Sequence, residues 1–346
     1  MSTTSAIGIG KRGRESPDLA SAKKTRIENA PSQSQRDEEF WFEDGSIILV
    51  ARDVEFRVYM RVLADHSTVF ADMFSLPQPA SVTSNPTCDI PTVHLEDSPE
   101  DLRHILRALL PRQGAIFVQG VEAQYPTFNE LFAYARLGHK YQIDALLDQS
   151  LSYFKRCFSM DFDAWERYVP REWGDEAEAF AIGVVNIARL TRCDAILPAA
   201  LAACSSLEGE QLVAGFERED GTRERLSEDD LKLCITGKQR LALAMSGAVI
   251  KAFALYKISG CDSVGSCRRV VHWILEDHAD DPGYFPMNLP FGDWDCYIQD
   301  CGGDERLCEY CLETLGDRFR AEQRTLWADL PDIFDISVEG WRKEKS

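Results

Sequence analysis

The sequence predicts an α+β domain followed by an all-α domain. Short strand-like runs alternate with helical patterns as far as residue 158, and beyond that point only helical patterns occur. With 346 residues, 45% of them hydrophobic, the chain is long enough for two domains. We therefore divide it into a tail over residues 1–38, a first domain over 39–158 and a helical domain over 159–346.

The tail differs from the rest of the chain in charge. The net charge is −19, but residues 1–36 hold seven basic and three acidic side chains, which leaves −23 on the other residues. Few large aliphatic side chains occur in this segment, so it is predicted to be disordered. It contains two basic clusters ten residues apart, a spacing typical of a bipartite nuclear localisation signal: Lys11, Arg12, Lys23, Lys24 and Arg26. We expect an import receptor to bind them and the protein to be nuclear, or nuclear and cytoplasmic. The alternative is a solvated basic tail that carries no localisation signal.

The first domain begins with a predicted hairpin. Residues 47–51 form a short apolar run, and residues 54–58 alternate apolar and charged side chains. A helical pattern follows over 62–74, and a third strand is predicted at 93–95. Ser98 and Pro99 are typical of a helix start, and two amphipathic helices end the domain, at 128–138 and 141–154.

Over this domain the sequence resembles the BTB/POZ family. Four stretches carry the resemblance in the same order: residues 54–63, 67–74, 93–102 and 135–146. The likeness extends over 39–346 to the BTB proteins that are expanded in mushroom-forming fungi. It implies a small sheet capped by helical hairpins, followed by a helical half. It also implies docking of protein partners, or association into a homodimer, without catalysis.

The resemblance leaves two more specific functions open. Ser46, Tyr59 and Met60 replace the charged residues of the transcription-factor type, and residues 75–79 lack the apolar-x-Glu step of many ligase adaptors. We therefore predict a non-enzymatic interaction or adaptor protein. The alternatives are a substrate adaptor of a cullin-type ubiquitin ligase and a transcriptional co-regulator.

In the helical domain, helices are predicted at 177–190, at 196–207 and from Ser227 towards Tyr256, with a turn at 219–222. Six of the eleven cysteines fall between 261 and 311. In a reducing compartment, clustered thiols are more often zinc ligands than disulfides, and a structural zinc site would be formed by Cys261, Cys267, Cys308 and Cys311. The first pair would be joined by a flexible turn, and the second would lie at the start of a helix.

The other interpretation of these cysteines, which the sequence favours slightly over zinc, is burial in a protein core. Cys308 and Cys311 share one helical stripe with Leu307, Leu315 and Phe319, and free cysteine is among the most buried residue types. The gap of five residues between Cys261 and Cys267 is also longer than in common zinc knuckles. His272 and His278 are further candidate ligands.

Several function classes are excluded or disfavoured by composition. No apolar run approaches the ~18 residues of a membrane-spanning helix, and the first residues lack the apolar core of a secretory signal. The acidic body argues against direct binding of nucleic acid, which requires a basic face. We find neither a phosphate-binding loop after a strand nor a nucleophile elbow, so an enzyme is not predicted.

Overall fold

The computed structural model describes residues 34–76, 90–110, 126–168, 177–254, 260–280 and 306–341. Within these ranges the chain is mixed α/β, with one four-stranded sheet and many helices. The coarse prediction of strands and helices first, then mostly helices, is confirmed.

The sheet is built on the predicted hairpin. Its strands are β1 (Gln35–Trp41), β2 (Ile47–Ala51), β3 (Val54–Val58) and β4 (Thr92–Leu95). Their order is β1-β3-β2-β4, with β2 and β3 antiparallel and the two outer strands parallel to their neighbours. A two-residue turn joins β2 to β3, and Arg52 in this turn has a positive φ of 52°.

Strand β1 was not predicted, and it begins inside the segment assigned to the tail. Pairing between β1 and β3 begins at Gln35, four residues before the predicted start. Asp37 is buried. Its carboxylate accepts hydrogen bonds from the backbone N–H of Phe40, at 2.8 Å, and from Nε of Arg103, at 2.7 Å. These bonds offset the cost of removing a charged carboxylate from water, in a strand that has few apolar residues.

Five helices accompany the sheet. They are α1 (Met60–His66), α2 (Thr68–Ser75), α3 (Pro99–Leu109), α4 (Phe128–Tyr141) and α5 (Asp144–Cys157). The continuous helix expected over 62–74 is divided at Ser67, whose extended backbone ends α1 and whose hydroxyl caps α2 by accepting from Phe70 N–H at 3.0 Å. The predicted start of α3 is confirmed, because the Ser98 hydroxyl accepts from the N–H of Asp101.

The helical half contains eight described α-helices, one short 3-10 helix (Asp194–Ile196) and one short hairpin. The helices are α6 (Phe162–Tyr168), α7 (Ala177–Thr191), α8 (Leu197–Ser206), α9 (Gly209–Ala214), α10 (Glu228–Ala254), α11 (Val264–Asp280), α12 (Glu309–Ala328) and α13 (Leu330–Ile333). The hairpin pairs β5 (Phe216–Glu217) with β6 (Arg223–Glu224), around the predicted turn. The prediction of an all-α half is therefore wrong at this hairpin, whose two-residue strands are too short to show alternation.

Two apolar clusters form the interior, and helices α4 and α5 contribute to both. Tyr141 and Leu146 pack with the sheet, whereas Phe132 and Phe154 pack with the helical half. The predicted boundary between residues 158 and 159 therefore does not separate the two clusters. The ring of Phe132 also lies against Gly183 of α7, where a Cβ would come within 2.6 Å of it.

Ion pairs join the β5–β6 hairpin to the first domain. Asp101 of α3 accepts two hydrogen bonds from Arg136 of α4, both at 3.1 Å, and one from Arg218 of the hairpin, at 2.6 Å. Glu224 of β6 accepts from Arg136 at 3.1 Å and from Asn186 of α7 at 3.0 Å. Two acidic and two basic side chains thus neutralise one another where the two halves meet.

Candidate metal centre

The four preferred cysteines lie where two helices begin. Cys261 precedes α11 and Cys267 lies in its first turn, while Cys308 is the N-cap of α12 and Cys311 lies in the first turn of that helix. Helix N-termini carry partial positive charge, which favours thiolates over thiols. The structure therefore brings together the residues that the sequence selected as one group.

The connection within the first pair differs from the prediction. A flexible turn was expected between Cys261 and Cys267, but α11 already begins at Val264, and the N–H of Cys267 donates to the carbonyl of Ser263 at 3.0 Å. Helical structure shortens the path between the two thiols, which makes a gap of five residues compatible with a common ligand. Cys267 is also held against α12, because the N–H of Cys308 donates to its Sγ at 3.4 Å.

Gly260 allows the loop before Cys261 to approach α12 closely. Its φ of 122° is a conformation that side chains disfavour, and a Cβ at this position would lie 2.8 Å from Cζ of Tyr310. Contact between the loop and the Tyr310 ring places Cys261 beside Cys308.

The sulfur positions fit a tetrahedral ion. The Sγ atoms of Cys261 and Cys308 are 3.8 Å apart, and all four Sγ atoms lie within 4.8 Å of one another. Zinc–sulfur bonds of ~2.3 Å in a tetrahedron require sulfur–sulfur distances of ~3.8 Å. The cluster therefore has the size of a four-thiolate zinc site, and small movements of the side chains would close it.

The acidity of the thiols differs across the cluster. The backbone N–H of Cys311 donates towards Cys308 and lowers the pKa of Cys308 to about 7, whereas burial raises the pKa of Cys267 and of Cys311. Burial disfavours ionisation of several neighbouring thiols, because their negative charges would be poorly solvated. A divalent cation would compensate this charge. Metal binding would accordingly release protons and weaken at low pH.

Burial in the core explains part of the arrangement. Cys311 packs in the same apolar cluster as Leu315 and Phe319, as the alternative interpretation requires. Cys204 and Cys234 are completely buried in that cluster too, and burial raises the pKa of Cys204. The cluster at α11 and α12 differs because two of its four thiols, Cys261 and Cys308, are only half-buried. Both half-buried thiols also pack against the apolar cluster, so core packing contributes to their approach to the buried pair.

Among the other candidate ligands, the structure describes only the side chain of His272, and it does not join the site. The ring of His272 is exposed and its Nε2 lies 3.2 Å from Oε1 of Glu276, one turn further along α11. The side chain of His278 and the cysteines at 88, 296 and 301 lie outside the described residues. The same holds for the predicted localisation signal, Lys11, Arg12, Lys23, Lys24 and Arg26.

Sequence reasoning missed the polar side-chain contacts between the halves. His104 of α3 is buried and its Nε2 lies 2.7 Å from Oε2 of Glu219 in the hairpin turn. Arg52 in the β2–β3 turn donates to Asp220 at 2.6 Å. The partners in these pairs are more than one hundred residues apart, so no local pattern could have indicated them.

Comparisons with known proteins identify no relative: no protein-family model, no curated protein and no solved structure matches this chain. A search of the described helices found none that is both long and apolar enough to cross a membrane.

Proposed function

We propose that this chain is a non-enzymatic protein-interaction or adaptor protein of the BTB/POZ kind, delivered to the nucleus by its basic tail. In this proposal the first domain docks protein partners, and a zinc ion bound by Cys261, Cys267, Cys308 and Cys311 braces the helical half.

Contacts among the four stretches that resemble the BTB/POZ family carry the first part of the proposal. The Ser67 hydroxyl donates to the carbonyl of Tyr141, and the rings of Phe70 and Tyr141 stack with their centroids 4.4 Å apart. Asp97 accepts from Lys140 at 2.6 Å and from the Tyr141 hydroxyl. These contacts join three of the four resembling stretches to one another, namely 67–74, 93–102 and 135–146.

The order of the elements also supports this assignment. The hairpin is followed by the pair α1–α2, and β4 then returns parallel to the first strand of the hairpin. Helix α3 and the pair α4–α5 complete the domain. This order of strands and helices is compatible with the proposed assignment.

Labelling of neighbouring proteins in the native cell tests the docking role. The full chain fused to a labelling enzyme should enrich a reproducible set of nuclear proteins over the labelling enzyme alone. An unchanged background would contradict the proposal, and recovery of a cullin would favour the ligase-adaptor alternative.

A Leu76→Asp variant indicates whether docking uses the end of α2, because the side chain of Leu76 is 65% exposed there.

The proposed role of zinc is structural, because four thiolates leave no coordination position for a substrate. An ion at this place would join the start of α12 to the start of α11, two helices that are far apart in sequence. It would contribute to folding, since the unfolded chain does not preform such a site.

Metal content of the purified protein tests this role. We expect one zinc ion per chain in the wild type and in a control carrying Cys157→Ser and Cys193→Ser, two cysteines outside the cluster. The variant with Cys308→Ser and Cys311→Ser should lose the ion. Equal metal content in the two variants would contradict the assignment of the ligands.

A further inference from the structure

Two of the clustered cysteines differ in exposure from the other cysteines that the structure describes. Cys261 and Cys308 are half-buried. The other six described cysteines are buried, namely Cys157, Cys193, Cys204, Cys234, Cys267 and Cys311. Cys261 and Cys308 are also neighbours, because their Sγ atoms lie 3.8 Å apart. In the described part of the chain, the two cysteines that solvent reaches therefore form one contact pair.

Both residues of this pair lie just outside a helix. Cys261 precedes α11, and Cys308 is the N-cap of α12 with an extended backbone. Cys267 and Cys311 lie inside the first turns of these helices, where backbone hydrogen bonds hold the chain. A disulfide requires sulfur atoms ~2.05 Å apart, so the Sγ atoms of Cys261 and Cys308 must approach by ~1.8 Å. Residues outside the helical turns have more freedom to make this movement than residues within them.

The half-buried pair is also the one that a small oxidant can reach. Thiolates react with hydroperoxides, and a bound zinc ion keeps its cysteine ligands deprotonated. A small neutral molecule such as hydrogen peroxide has access to Cys261 and Cys308, whereas burial protects Cys267 and Cys311. A sulfenic acid formed on one half-buried sulfur has the other 3.8 Å away, and a sulfenic acid condenses with a neighbouring thiol to a disulfide.

We propose that Cys261 and Cys308 form an oxidative modification site, at which a hydroperoxide joins them by a disulfide and the zinc ion is released. The release of the ion rests on the zinc site proposed above, whereas formation of the disulfide does not require zinc. Only Cys267 and Cys311 then remain as ligands, which is half of the set that a structural zinc site needs. The joint between the starts of α11 and α12 thus depends on the redox state of the half-buried pair.

The reaction balances with hydrogen peroxide as the oxidant. One thiolate attacks a peroxide oxygen, so that an S–O bond forms, the O–O bond breaks and hydroxide leaves and takes up a proton to become water. The second thiolate attacks the sulfur of the sulfenic acid, so that the S–S bond forms, the S–O bond breaks and a second water results in the same way. Two electrons pass from the two sulfurs to the peroxide. Two further protons bind Cys267 and Cys311 as the zinc ion departs. A thiol reductant reverses the disulfide by exchange, as in other transient disulfides of reducing compartments.

Mapping of disulfides together with zinc release tests the proposal. The full chain, purified with its zinc, is treated with a small molar excess of hydrogen peroxide, its free thiols are alkylated, and linked peptides are identified by mass spectrometry. We expect the peptides that contain Cys261 and Cys308 to be joined. A chromogenic zinc indicator should report one zinc ion released for each disulfide formed, and dithiothreitol followed by zinc should restore the starting protein.

Matched variants locate the reaction. Cys261→Ser and Cys308→Ser should each abolish the linked peptide. A control with Cys157→Ser and Cys193→Ser, two buried cysteines outside the cluster, should form the disulfide as the wild type does. Circular dichroism establishes that the variants are folded, and the mapping of the wild type decides the question without them.

The outcomes separate this proposal from the zinc site itself. Protein that binds zinc but keeps both thiols free in peroxide overturns the modification site and leaves the zinc site in place. A disulfide that joins Cys308 to Cys311, or oxidation of the buried Cys204 as fast as that of Cys261, also overturns it. Protein that is purified without zinc and still forms the Cys261–Cys308 disulfide supports the modification site and contradicts the zinc site alone.

Discussion

Replacing Asp101 by Asn is predicted to weaken the connection between the two halves of the protein. The Asp101 carboxylate accepts three hydrogen bonds from Arg136 and Arg218, and Arg218 belongs to the hairpin of the helical half. The amide of Asn keeps one oxygen as an acceptor but loses the negative charge, and its NH2 group would face the two guanidinium groups. Both arginines would then share Glu224 as their acidic partner.

The size of the effect follows from the burial of the group. Removing one partner of a buried ion pair costs about 3–5 kcal/mol. Here the side chains of Arg136 and Arg218 remain 19% and 21% exposed and retain Glu224, so water and the second carboxylate offset part of the loss. We therefore expect Asp101→Asn to lower the free energy of unfolding by about 2–3 kcal/mol.

Urea unfolding followed by tryptophan fluorescence measures this change. Asp65→Asn is the control, because the Arg61–Asp65 pair on α1 is exposed and should contribute under about 0.5 kcal/mol. A loss for Asp101→Asn as small as that of the control would refute the reasoning. It would mean that water replaces the hydrogen bonds of Asp101 to Arg136 and Arg218 without a loss in the free energy of unfolding.

Three further predictions concern other parts of the chain. Gly237→Ala should destabilise the protein by about 1–3 kcal/mol in thermal melts, because a Cβ there would lie 2.1 Å from the ring of Phe334. Gly247→Ala on the same helix meets nothing within 4 Å, so it should stabilise by about 0.5–1 kcal/mol; the opposite order would contradict the packing. The pKa of Cys308 is lowered from 9.0 to about 7, so its contribution to stability is present above pH 9 and is lost as the pH falls through 7. Alkylation of this thiol in metal-free protein should therefore reach half its maximal rate near pH 7, and a midpoint near 9 would refute the shift. Alanine at the basic residues of 23–26 should move a fluorescent fusion from the nucleus to the cytoplasm, and unchanged nuclear signal would contradict the localisation signal.

Local patterns in the sequence predicted most elements of the fold. The β2–β3 hairpin, β4 and the start of α3 follow from apolar alternation and helix capping, which depend on neighbouring residues. Strand β1 escaped prediction because its segment is mostly charged, and the burial of Asp37 is compensated by its bonds to Glu39, Phe40 and Arg103. Such compensation depends on the tertiary fold.

The candidate site was predictable in its residues but not in its geometry. Spacing selected the two cysteine pairs, yet nothing local brings Cys267 to Cys308, which is 41 residues further along the chain. The same spacing also fitted a buried apolar stripe along one helix. In the structure, Cys311 belongs both to the apolar core and to the group of four cysteines. The convergence of two helix starts and the half-burial of Cys261 and Cys308 distinguish the cluster from ordinary buried thiols such as Cys204.

X-ray absorption at the zinc edge tests the central claim most directly, on protein purified without added metal. We expect four sulfur neighbours at ~2.3 Å around each zinc ion, and no nitrogen or oxygen neighbour. Protein that contains no stoichiometric zinc, or zinc bound by nitrogen and oxygen in place of sulfur, would contradict a metal centre formed by Cys261, Cys267, Cys308 and Cys311.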